Sequence, residues 1–553
     1  MKAMRAQLST MARSAALIAL IALIAPAGHG ADTPGLGALA SPWLELGRPG
    51  PQAVQAIELL ADAASHGLDP QDYRVPALHE AWRATQGAGT RAEAERFAHA
   101  LDEAMQRYLG DLHDGRVAPA AVHLRHPLPA RPAFDAAGAL RDALAAHDLL
   151  GAVRRAAPAL PQYERLREAL ARYRTLVGHP AWAQPLPPLP LQAAGRARAL
   201  EPGQPWAGLA LLAARLLALG DLVDPGQPAA APTVFDDALV AAVQHFQGRH
   251  GLDPDGVIGR VTWAALQVAP TARVRQLELA LERLRWTPLV DATRRIIVNV
   301  PEFVLRAYEV EEGRVQVRAT MKVIVGRALK TRTPLIDGEL RTIEFQPFWN
   351  VPPSIARHEL VPRLRRPAGA AYWAREGFEF VSTADGAPDA RLDEARLDAV
   401  MAGQLRIRQR PGPRNALGDI KFVFTNRDSI YLHHTPATAL FERARRDFSH
   451  GCIRVEEPVT LAHFALQGLP GWDEARVRRA METDPPSMVT LAQPVPVLIA
   501  YGTALVKTGQ VHFHADLYGQ DRALDEALRR RAARSAGTAP ALRITPLRNR
   551  APP

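Results

Sequence analysis

The stretch Ser449-His450-Gly451-Cys452-Ile453-Arg454 holds the single cysteine of this 553-residue chain and follows the apolar stretch Ile430-Tyr431-Leu432-His433. A cysteine nucleophile requires a thiolate and a base, and His433 can supply the base. Protonated His433 would stabilise the thiolate, and Arg454 can lower the pKa of the Cys452 thiol. Gly451 lets the backbone approach closely, so the Cys452 amide can face a developing oxyanion. The pattern therefore predicts acyl transfer through a thioester.

Two other interpretations of this stretch stay open at the level of sequence. His433, His434, His450 and Cys452 are ligand types that zinc accepts. Adjacent histidines on a strand face opposite sides, however, which disfavours one shared site, and we expect no metal. A buried, inert cysteine is the second alternative, because a free thiol often packs as a small apolar side chain.

Alternating apolar and polar residues predict strands on both sides of the motif. These strands cover residues 296–300, 303–308, 315–323, 420–424, 430–433 and 495–501, with an answering strand at 511–516. The alternation is lost between Asn350 and Gln404, where the sequence is rich in Pro and Arg and partly helical. We therefore expect a β-rich domain over 290–520 with an insertion at 350–404, and long insertions of this kind often work as lids.

The N-terminal half has helical periodicity instead. Residues 53–65 and 92–109 carry apolar residues at three-four spacing, and we predict a helical scaffold over 31–180. Pro-Leu-Pro-Pro-Leu-Pro at 185–190 predicts a semi-rigid linker over 181–205, without a packing face of its own. A compact three-helix unit follows at 206–268. The predicted fold class is therefore multidomain α+β.

Both ends of the chain have distinctive compositions. A basic stretch ending at Arg13 runs into the apolar residues 15–25 and then into small residues, which predicts a secretory signal over 1–30. The apolar run is shorter than the roughly twenty residues that cross a bilayer, so an uncleaved anchor is the less favoured alternative. Residues 529–553 contain several arginines and no acid, and we expect a disordered basic tail there.

The net charge bears on the partners. A formal charge of +10, from 67 Lys+Arg and 57 Asp+Glu, favours a polyanion, although Arg-rich usage can also reflect genome composition. Nucleic acid, anionic lipid and an anionic wall polymer all fit the charge. Export argues against nucleic acid, and we expect none as a partner.

The unit at 206–268 resembles the three-helix peptidoglycan-binding domain. The resemblance rests on Ala-Val-Gln-His-Phe-Gln at 242–247 and Asp-Gly-Val-Ile-Gly at 255–259, followed by Thr262-Trp263. It implies a wall-binding module, whereas helical periodicity alone would predict only an ordinary packing module.

The cysteine motif, the strand before it and Asn415-Ala416-Leu417-Gly418 resemble the YkuD-type L,D-transpeptidase catalytic domain. The stretches Val323-Ile324-Val325-Gly326 and Phe348-Trp349-Asn350-Val351-Pro352-Pro353 resemble the large periplasmic members. Those proteins join a helical scaffold, a peptidoglycan-binding domain and a β-rich catalytic domain with an inserted capping subdomain. The resemblance therefore implies a periplasmic location.

The resemblance also implies a reaction. Cys452 would attack the carbonyl of diaminopimelate in a donor tetrapeptide and release the terminal D-alanine. The side-chain amine of a second stem would then resolve the thioester into a 3→3 cross-link, whereas water would give L,D-carboxypeptidase activity. His433 would be the base, and the amides of Gly451 and Cys452 would be the oxyanion donors. The residues implied to line the substrate cleft are Ser449, His450, Arg454, Tyr431 and Trp349.

Several expectations about partners follow from the resemblance. Stem peptides and glycan of peptidoglycan are the expected substrates, other wall-synthesis enzymes are possible partners, carbapenems are expected covalent inhibitors, and no cofactor is required. A catalytically inactive wall-binding protein is the alternative from another class.

Strand alternation places Tyr431 and His433 on one face and His434 on the other, so we predict His433 rather than His434 as the base.

Overall fold

The structure is a computed structural model that describes residues 41–86, 89–122, 133–190, 198–223, 232–287, 292–329, 331–382 and 388–538. The predicted signal at 1–30 lies outside these residues. Among the described residues, no helix combines the length and the apolar character needed to cross a bilayer. The multidomain α+β fold class is confirmed, with helices in the N-terminal half and a large mixed sheet in the C-terminal half.

A two-stranded hairpin and a group of helices form the N-terminal scaffold. The elements are β1 (Leu44–Glu45), β2 (Arg48–Pro49), α1 (Pro51–Ala61), α2 (Val75–Gln86), α3 (Arg91–Asp114), α4 (Pro119–Val122), α5 (Ala136–Ala145), α6 (Leu149–Ala156) and α7 (Pro161–Thr175). A capping box begins α3, because Thr90 and Glu93 each accept a hydrogen bond from the other's backbone N–H. Phe97, Leu101 and Met105 of α3 are buried in the scaffold core.

The next helices are α8 (Leu209–Leu219), α9 (Asp237–Arg249), α10 (Arg260–Gln267) and α11 (Pro270–Arg285). The first three enclose a core around Phe235 and Phe246. Leu186 and Leu189 of the Pro-rich stretch are buried in that same core, and Trp263 donates its indole hydrogen to the Pro187 carbonyl at 3.0 Å. The prediction of a linker without a packing face is therefore wrong. An extended polyproline helix has three residues per turn, so leucines three apart share one side.

The C-terminal half contains the strands. They are β3 (Arg294–Asn299), β4 (Val304–Glu311), β5 (Arg314–Gly326), β6 (Ile336–Phe345), β7 (Trp349–Asn350), β8 (Phe378–Ser382), β9 (Leu405–Gln409), β10 (Ile420–Phe424), β11 (Leu432–His433), β12 (Asp447–Ser449), β13 (Ile453–Val455), β14 (Ser487–Ala500), β15 (Ala504–Lys507) and β16 (Gln510–Phe513). The main sheet has the order β12-β5-β13-β11-β10-β6-β14-β3-β4, and β4 also pairs with β5. This extra pairing closes the sheet around a core that includes Val298, Val323 and Phe422.

The helices of this half are α12 (Pro353–Ile355), α13 (Val361–Leu364), α14 (Gly369–Glu376), α15 (Glu394–Met401), α16 (Pro458–Ala465), α17 (Glu474–Glu482) and α18 (Gln520–Thr538). Helices α12 to α15 and the small sheet β7-β9-β8 form the insertion, which we call the cap and define as residues 349–409. The cap has its own core around Trp373 and Phe380. The predicted bounds at Asn350 and Gln404 cut through its sheet, because β9 follows the predicted end.

The C-terminal elements pack on the N-terminal half. The β15–β16 hairpin shares a core with α7 and α11, and α18 buries Leu524 and Leu528 against Trp286. Arg531 of α18 forms an ion pair with Asp111 at 2.7 Å. The prediction of a disordered tail from residue 529 is therefore wrong as far as Thr538, because apolar residues just before the arginines anchor the helix. Residues 539–553 lie outside the described residues.

Candidate active site

Two short strands hold the cysteine motif in place. Ser449 of β12 pairs in parallel with the end of β5 at Gly326, and Arg454 of β13 pairs antiparallel with β5 at Ile324. The chain therefore reverses direction between Ser449 and Arg454, and this tight turn carries Cys452.

Gly451 shapes the turn. Its φ of 118° is unfavourable for residues with a Cβ, and a Cβ there would lie 3.2 Å from the Ile430 Cδ1 atom. Its backbone N–H donates to the Ser449 Oγ atom at 3.1 Å, and the Ser449 hydroxyl donates to the Cys452 carbonyl at 2.5 Å. The predicted role of Gly451 as an oxyanion donor is not supported, since its amide hydrogen is already used inside the turn. Ser449 likewise uses its hydroxyl hydrogen to fix the turn.

The Cys452 amide differs from its neighbour. In the described part of the chain, no group accepts a hydrogen bond from this N–H. The Cys452 amide is therefore available to an oxyanion on an attacked carbonyl.

The Cys452 thiol is a neutral group at rest. Its sulfur lies 3.8 Å from the Ser429 carbonyl oxygen, to which the thiol donates. Burial raises the pKa of the thiol above its ordinary value, while hydrogen bonds to Tyr431 and the charges of Lys421 and Arg454 lower it by less. Arg454 lowers the pKa of the thiol, as expected, but the rise that desolvation of the thiolate causes is larger.

His433 is buried beside the thiol. Strand β11 pairs in parallel with β13, with His433 opposite Arg454, and the imidazole and the Tyr431 ring have centroids 5.7 Å apart. The Nδ1–H donates to the His434 carbonyl at 2.5 Å, and the ring also has a backbone contact with Leu417. In the tautomer with its hydrogen on Nδ1, Nε2 carries the lone pair of a base. Burial, followed by the charge of Arg454, lowers the pKa of His433 to about 3. The imidazole is therefore neutral at neutral pH.

His434 has a different environment. Its Nδ1 atom forms a hydrogen bond with an Asp419 carboxylate oxygen at 3.2 Å, and its ring packs against Gly418, where a Cβ would lie 2.7 Å from Nδ1. The two adjacent histidines thus have separate partners, as strand alternation requires.

A cavity of about 250 Å³ lies above the thiol. Its catalytic wall contains the predicted residues Tyr431, His433, Ser449, His450, Cys452 and Arg454. The opposite wall belongs to the cap and includes the predicted residue Trp349 together with Ile355, Glu359, Arg363 and Tyr372. A larger cavity of about 420 Å³ lies in the scaffold near His66, but it contains no cysteine. The chemistry therefore places the candidate site under the cap.

Comparison with protein families identifies this domain. Residues 293–477 match the family model of the L,D-transpeptidase catalytic domain (YkuD), and the cavity and its cysteine turn lie within or against these residues. Residues 293–477 are a YkuD-type L,D-transpeptidase domain. Residues 39–170 match the scaffold domain model, and residues 207–266 match the model described as "Putative peptidoglycan binding domain".

One curated relative supports the L,D-transpeptidase assignment. A "Putative L,D-transpeptidase" of Haemophilus influenzae is 31% identical over 254 residues, which are 46% of this chain and 49% of the relative. The match thus spans about half the length of that curated relative. A crystal structure of a fused Zn-dependent amidase/peptidase/peptidoglycan-binding domain-containing protein from Clostridium acetobutylicum is 14% identical over 26% of this chain and 70% of that chain. Its TM-score of 0.12 is too low to carry an argument.

Arg454 is a partly buried cation that lines this cavity. Within the described residues its Nε atom is buried and has no hydrogen-bond partner. Burial, followed by the charge of Arg327, lowers the pKa of its guanidinium below the ordinary value. An unpaired, desolvated guanidinium favours a carboxylate ligand, because the pair would restore the lost solvation.

Sequence reasoning missed three residues of this site. Ser429 supplies the carbonyl that the thiol contacts, in a left-handed backbone conformation with φ of 56°. Glu359 and Arg363 reach the cavity from the cap. The sequence gives no signal for the two cap residues, because an insertion approaches the turn only through tertiary packing. A short polar turn before Ile430 was a weak signal for Ser429.

Proposed function

We propose that this protein is a cysteine-dependent L,D-transpeptidase that forms 3→3 cross-links between peptidoglycan stems. The observation that carries the proposal is the set of groups around one thiol: a neutral base, and, within the described residues, an amide and a guanidinium Nε atom that have no hydrogen-bond partner. Acyl transfer needs these three functions, namely proton transfer, oxyanion stabilisation and carboxylate binding.

Acylation begins with proton transfer. The Nε2 atom of His433 takes the thiol proton while the Cys452 sulfur attacks the diaminopimelate carbonyl of a donor tetrapeptide. The Cys452 amide donates to the oxyanion, and the protonated His433 then gives its proton to the leaving amine of D-alanine. Because the thiol and the imidazole are both neutral at rest, the charged pair exists only during the reaction.

The electrostatics of the empty cavity favour attack by Cys452 only after a substrate has bound. A donor carboxylate bound to Arg454 would offset the charge that lowers the pKa of His433. Base strength would therefore rise when substrate binds. This coupling would limit reaction of the empty enzyme with other electrophiles.

The second half-reaction decides the product. A side-chain amine that resolves the thioester gives a cross-link, whereas water gives L,D-carboxypeptidase activity. A wall-binding protein without catalysis would give neither product.

The module at 207–266 supports peptidoglycan as the polymer that is bound. It is tied to the rest of the molecule by the Arg249 guanidinium, which lies 3.3 Å from the Tyr173 hydroxyl and from the Val511 carbonyl. We propose that the module holds wall polymer while the cavity works on stems, and that the protein acts in the periplasm. Pull-down of the full chain on isolated sacculi tests retention, and Cys452→Ala in parallel excludes retention through an acyl bond.

The decisive experiment is mass spectrometry of muropeptides after incubation of the full chain with disaccharide-tetrapeptide. We expect a cross-linked dimer that has lost one D-alanine, and neither dimer nor carbapenem adduct with Cys452→Ala, because no second cysteine can replace the nucleophile. Ser65→Ala, a scaffold variant far in sequence from the motif, serves as the control. Tripeptide alone would indicate a carboxypeptidase, and an adduct on Cys452→Ala would remove this residue from the mechanism.

A further inference from the structure

The cap contributes a carboxylate next to the cysteine turn. Glu359 lies in the π-helical turn Ala356–Leu360, and its Oε1 atom accepts a hydrogen bond from the His450 Nε2 atom at 2.7 Å. Turns of π-helix are often found at functional sites. His450 precedes Cys452 by two residues, a span of at most about 7 Å along the chain. Glu359, His450 and Cys452 also line the same cavity, so the carboxylate borders the space that an acyl group on Cys452 would occupy.

The exposure of the pair places it at the entrance of the cavity. The Glu359 side chain is 50% exposed and the His450 side chain is 26% exposed. Among the described residues, the other Glu359 oxygen has no hydrogen-bond partner. A ligand arriving from solvent can therefore bind this oxygen without first breaking the bond to His450.

The charges along the cavity are segregated. Glu359 is the only acidic residue among its described lining residues, while Arg454 on the catalytic wall and Arg363 on the cap are cationic. The Arg363 guanidinium stacks 3.7 Å from the Tyr372 ring centroid. Carboxylates of a bound peptide would favour the arginines, whereas an ammonium group would find a complementary charge only at Glu359.

We propose that Glu359 and His450 form the binding site for the acceptor amine, so that the cap selects a primary ammonium as the second substrate. The inference rests on the proposed transpeptidase function and deepens it. A site for an ammonium at the entrance explains why a buried thioester would react with an amine rather than with the more abundant water. It assigns to the cap a chemical role besides covering the cavity.

The proposed step balances as follows. The ammonium of the acceptor gives one proton to the Glu359–His450 pair, and the free amine attacks the thioester carbonyl. The new C–N bond forms and the C–S bond breaks. The second proton of the attacking nitrogen passes through the His433 Nε2 atom to the leaving sulfur and regenerates the thiol. The proton on the Glu359–His450 pair is released to solvent.

The test measures how the acyl-enzyme partitions between the two acceptors. Purified full-length protein receives the tetrapeptide donor and increasing concentrations of a tripeptide stem with a free side-chain amine. We expect Glu359→Gln to lower the ratio of cross-linked to hydrolysed product by about tenfold or more and to raise the acceptor KM, because a charge-assisted hydrogen bond is lost. The acyl-enzyme should still form, and Glu359→Asp should recover part of the ratio.

Glu394→Gln is the matched control. Glu394 is a cap carboxylate that pairs with Arg365 at 2.5 Å and does not line the cavity, so its removal should leave the ratio at the wild-type value. An unchanged ratio with Glu359→Gln would overturn the acceptor site, and so would an equal loss of acylation and cross-linking, which would indicate a structural role. Absence of cross-linked product with the wild-type protein would instead overturn the proposed function.

Discussion

At the scale of single residues, one hydrogen bond favours a particular tautomer of a histidine in the candidate site. A backbone carbonyl can only accept a hydrogen bond, so its contact with Nδ1 of His433 forces the hydrogen onto that nitrogen. In that tautomer Nε2 carries the lone pair. His434 has no comparable position, because it pairs with Asp419 outside the cavity.

Separate substitution of the two histidines tests this assignment. We expect His433→Ala to lose roughly 10² or more in the rate of acylation by a carbapenem, which is typical for removal of a general base. His434→Ala should lower this rate by less than about tenfold, because it removes only a hydrogen bond to the Asp419 carboxylate. Stopped-flow absorbance on the two purified variants measures both rates. If His434→Ala were the more damaging variant, the base would be His434.

The dependence of the acylation rate on pH tests whether the Cys452 thiol and the His433 imidazole are both neutral at rest. His433, with a pKa of about 3, stays unprotonated over the physiological range, and burial holds the thiol protonated there. The base is lost only as the pH falls through about 3. Acylation by a carbapenem should therefore vary less than about threefold between pH 5 and pH 7. A fall in rate with a midpoint near 6.5 would show that the histidine titrates as an exposed one does.

At the scale of elements, α18 shows how a basic stretch becomes ordered. Its arginines face both solvent and protein, and Arg531 reaches Asp111, which is largely buried on α3. Burial raises the pKa of Asp111, and the charge of Arg531 opposes that rise. The ion pair thus links the C-terminal helix to the scaffold.

Two neighbouring arginines provide a matched test of this link. Arg531→Ala should lower the free energy of unfolding by about 1 to 3 kcal/mol, because among the described residues it leaves the buried Asp111 carboxylate with the Tyr73 hydroxyl as its remaining side-chain donor. Arg530→Ala should change it by less than about 0.5 kcal/mol, since Arg530 is exposed. Urea unfolding followed by circular dichroism compares the two variants. Equal effects would mean that α18 is not held by this pair.

At the scale of the whole molecule, buried neutral histidines couple stability to pH. Burial is the main cause that lowers the pKa of His66 and of His433 to about 3 and that of His514 to about 4. Unfolded histidines titrate near about 6.5. Between these values the unfolded chain binds more protons than the folded chain. Stability contributed by these residues is therefore complete above about pH 6.5 and is lost as the pH falls toward their folded pKa values of about 3 and about 4.

We accordingly expect the melting temperature to fall between pH 7 and pH 5. Each such histidine contributes at most about 1.4 kcal/mol per pH unit below 6.5. His66→Gln should reduce the pH dependence, whereas His99→Gln should leave it unchanged, because the His99 side chain is 78% exposed. Differential scanning fluorimetry of the wild-type protein and both variants at pH 7 and pH 5 measures these melting temperatures. A melting temperature that is equal at both would contradict the buried neutral histidines.

Local pattern in the sequence determined the class of fold and was enough to predict the residues of the candidate site. The nucleophile, the base and the glycine of the turn are close in sequence or one strand apart, so spacing and strand alternation were enough to predict Cys452 and to favour His433 over His434. Alternation and three-four periodicity likewise predicted helices followed by a β-rich half.

Tertiary structure decided what depends on partners distant in sequence. The charge states of Cys452 and His433 follow from burial, which no short stretch encodes. The Gly451 amide is engaged because the turn closes on Ser449, and Glu359 reaches His450 across 91 positions of the chain. Leu186 and Leu189 pack because a helical core lies beside them. Desolvation and long-range contacts are properties of the packed molecule, and they alone determine which local features become functional.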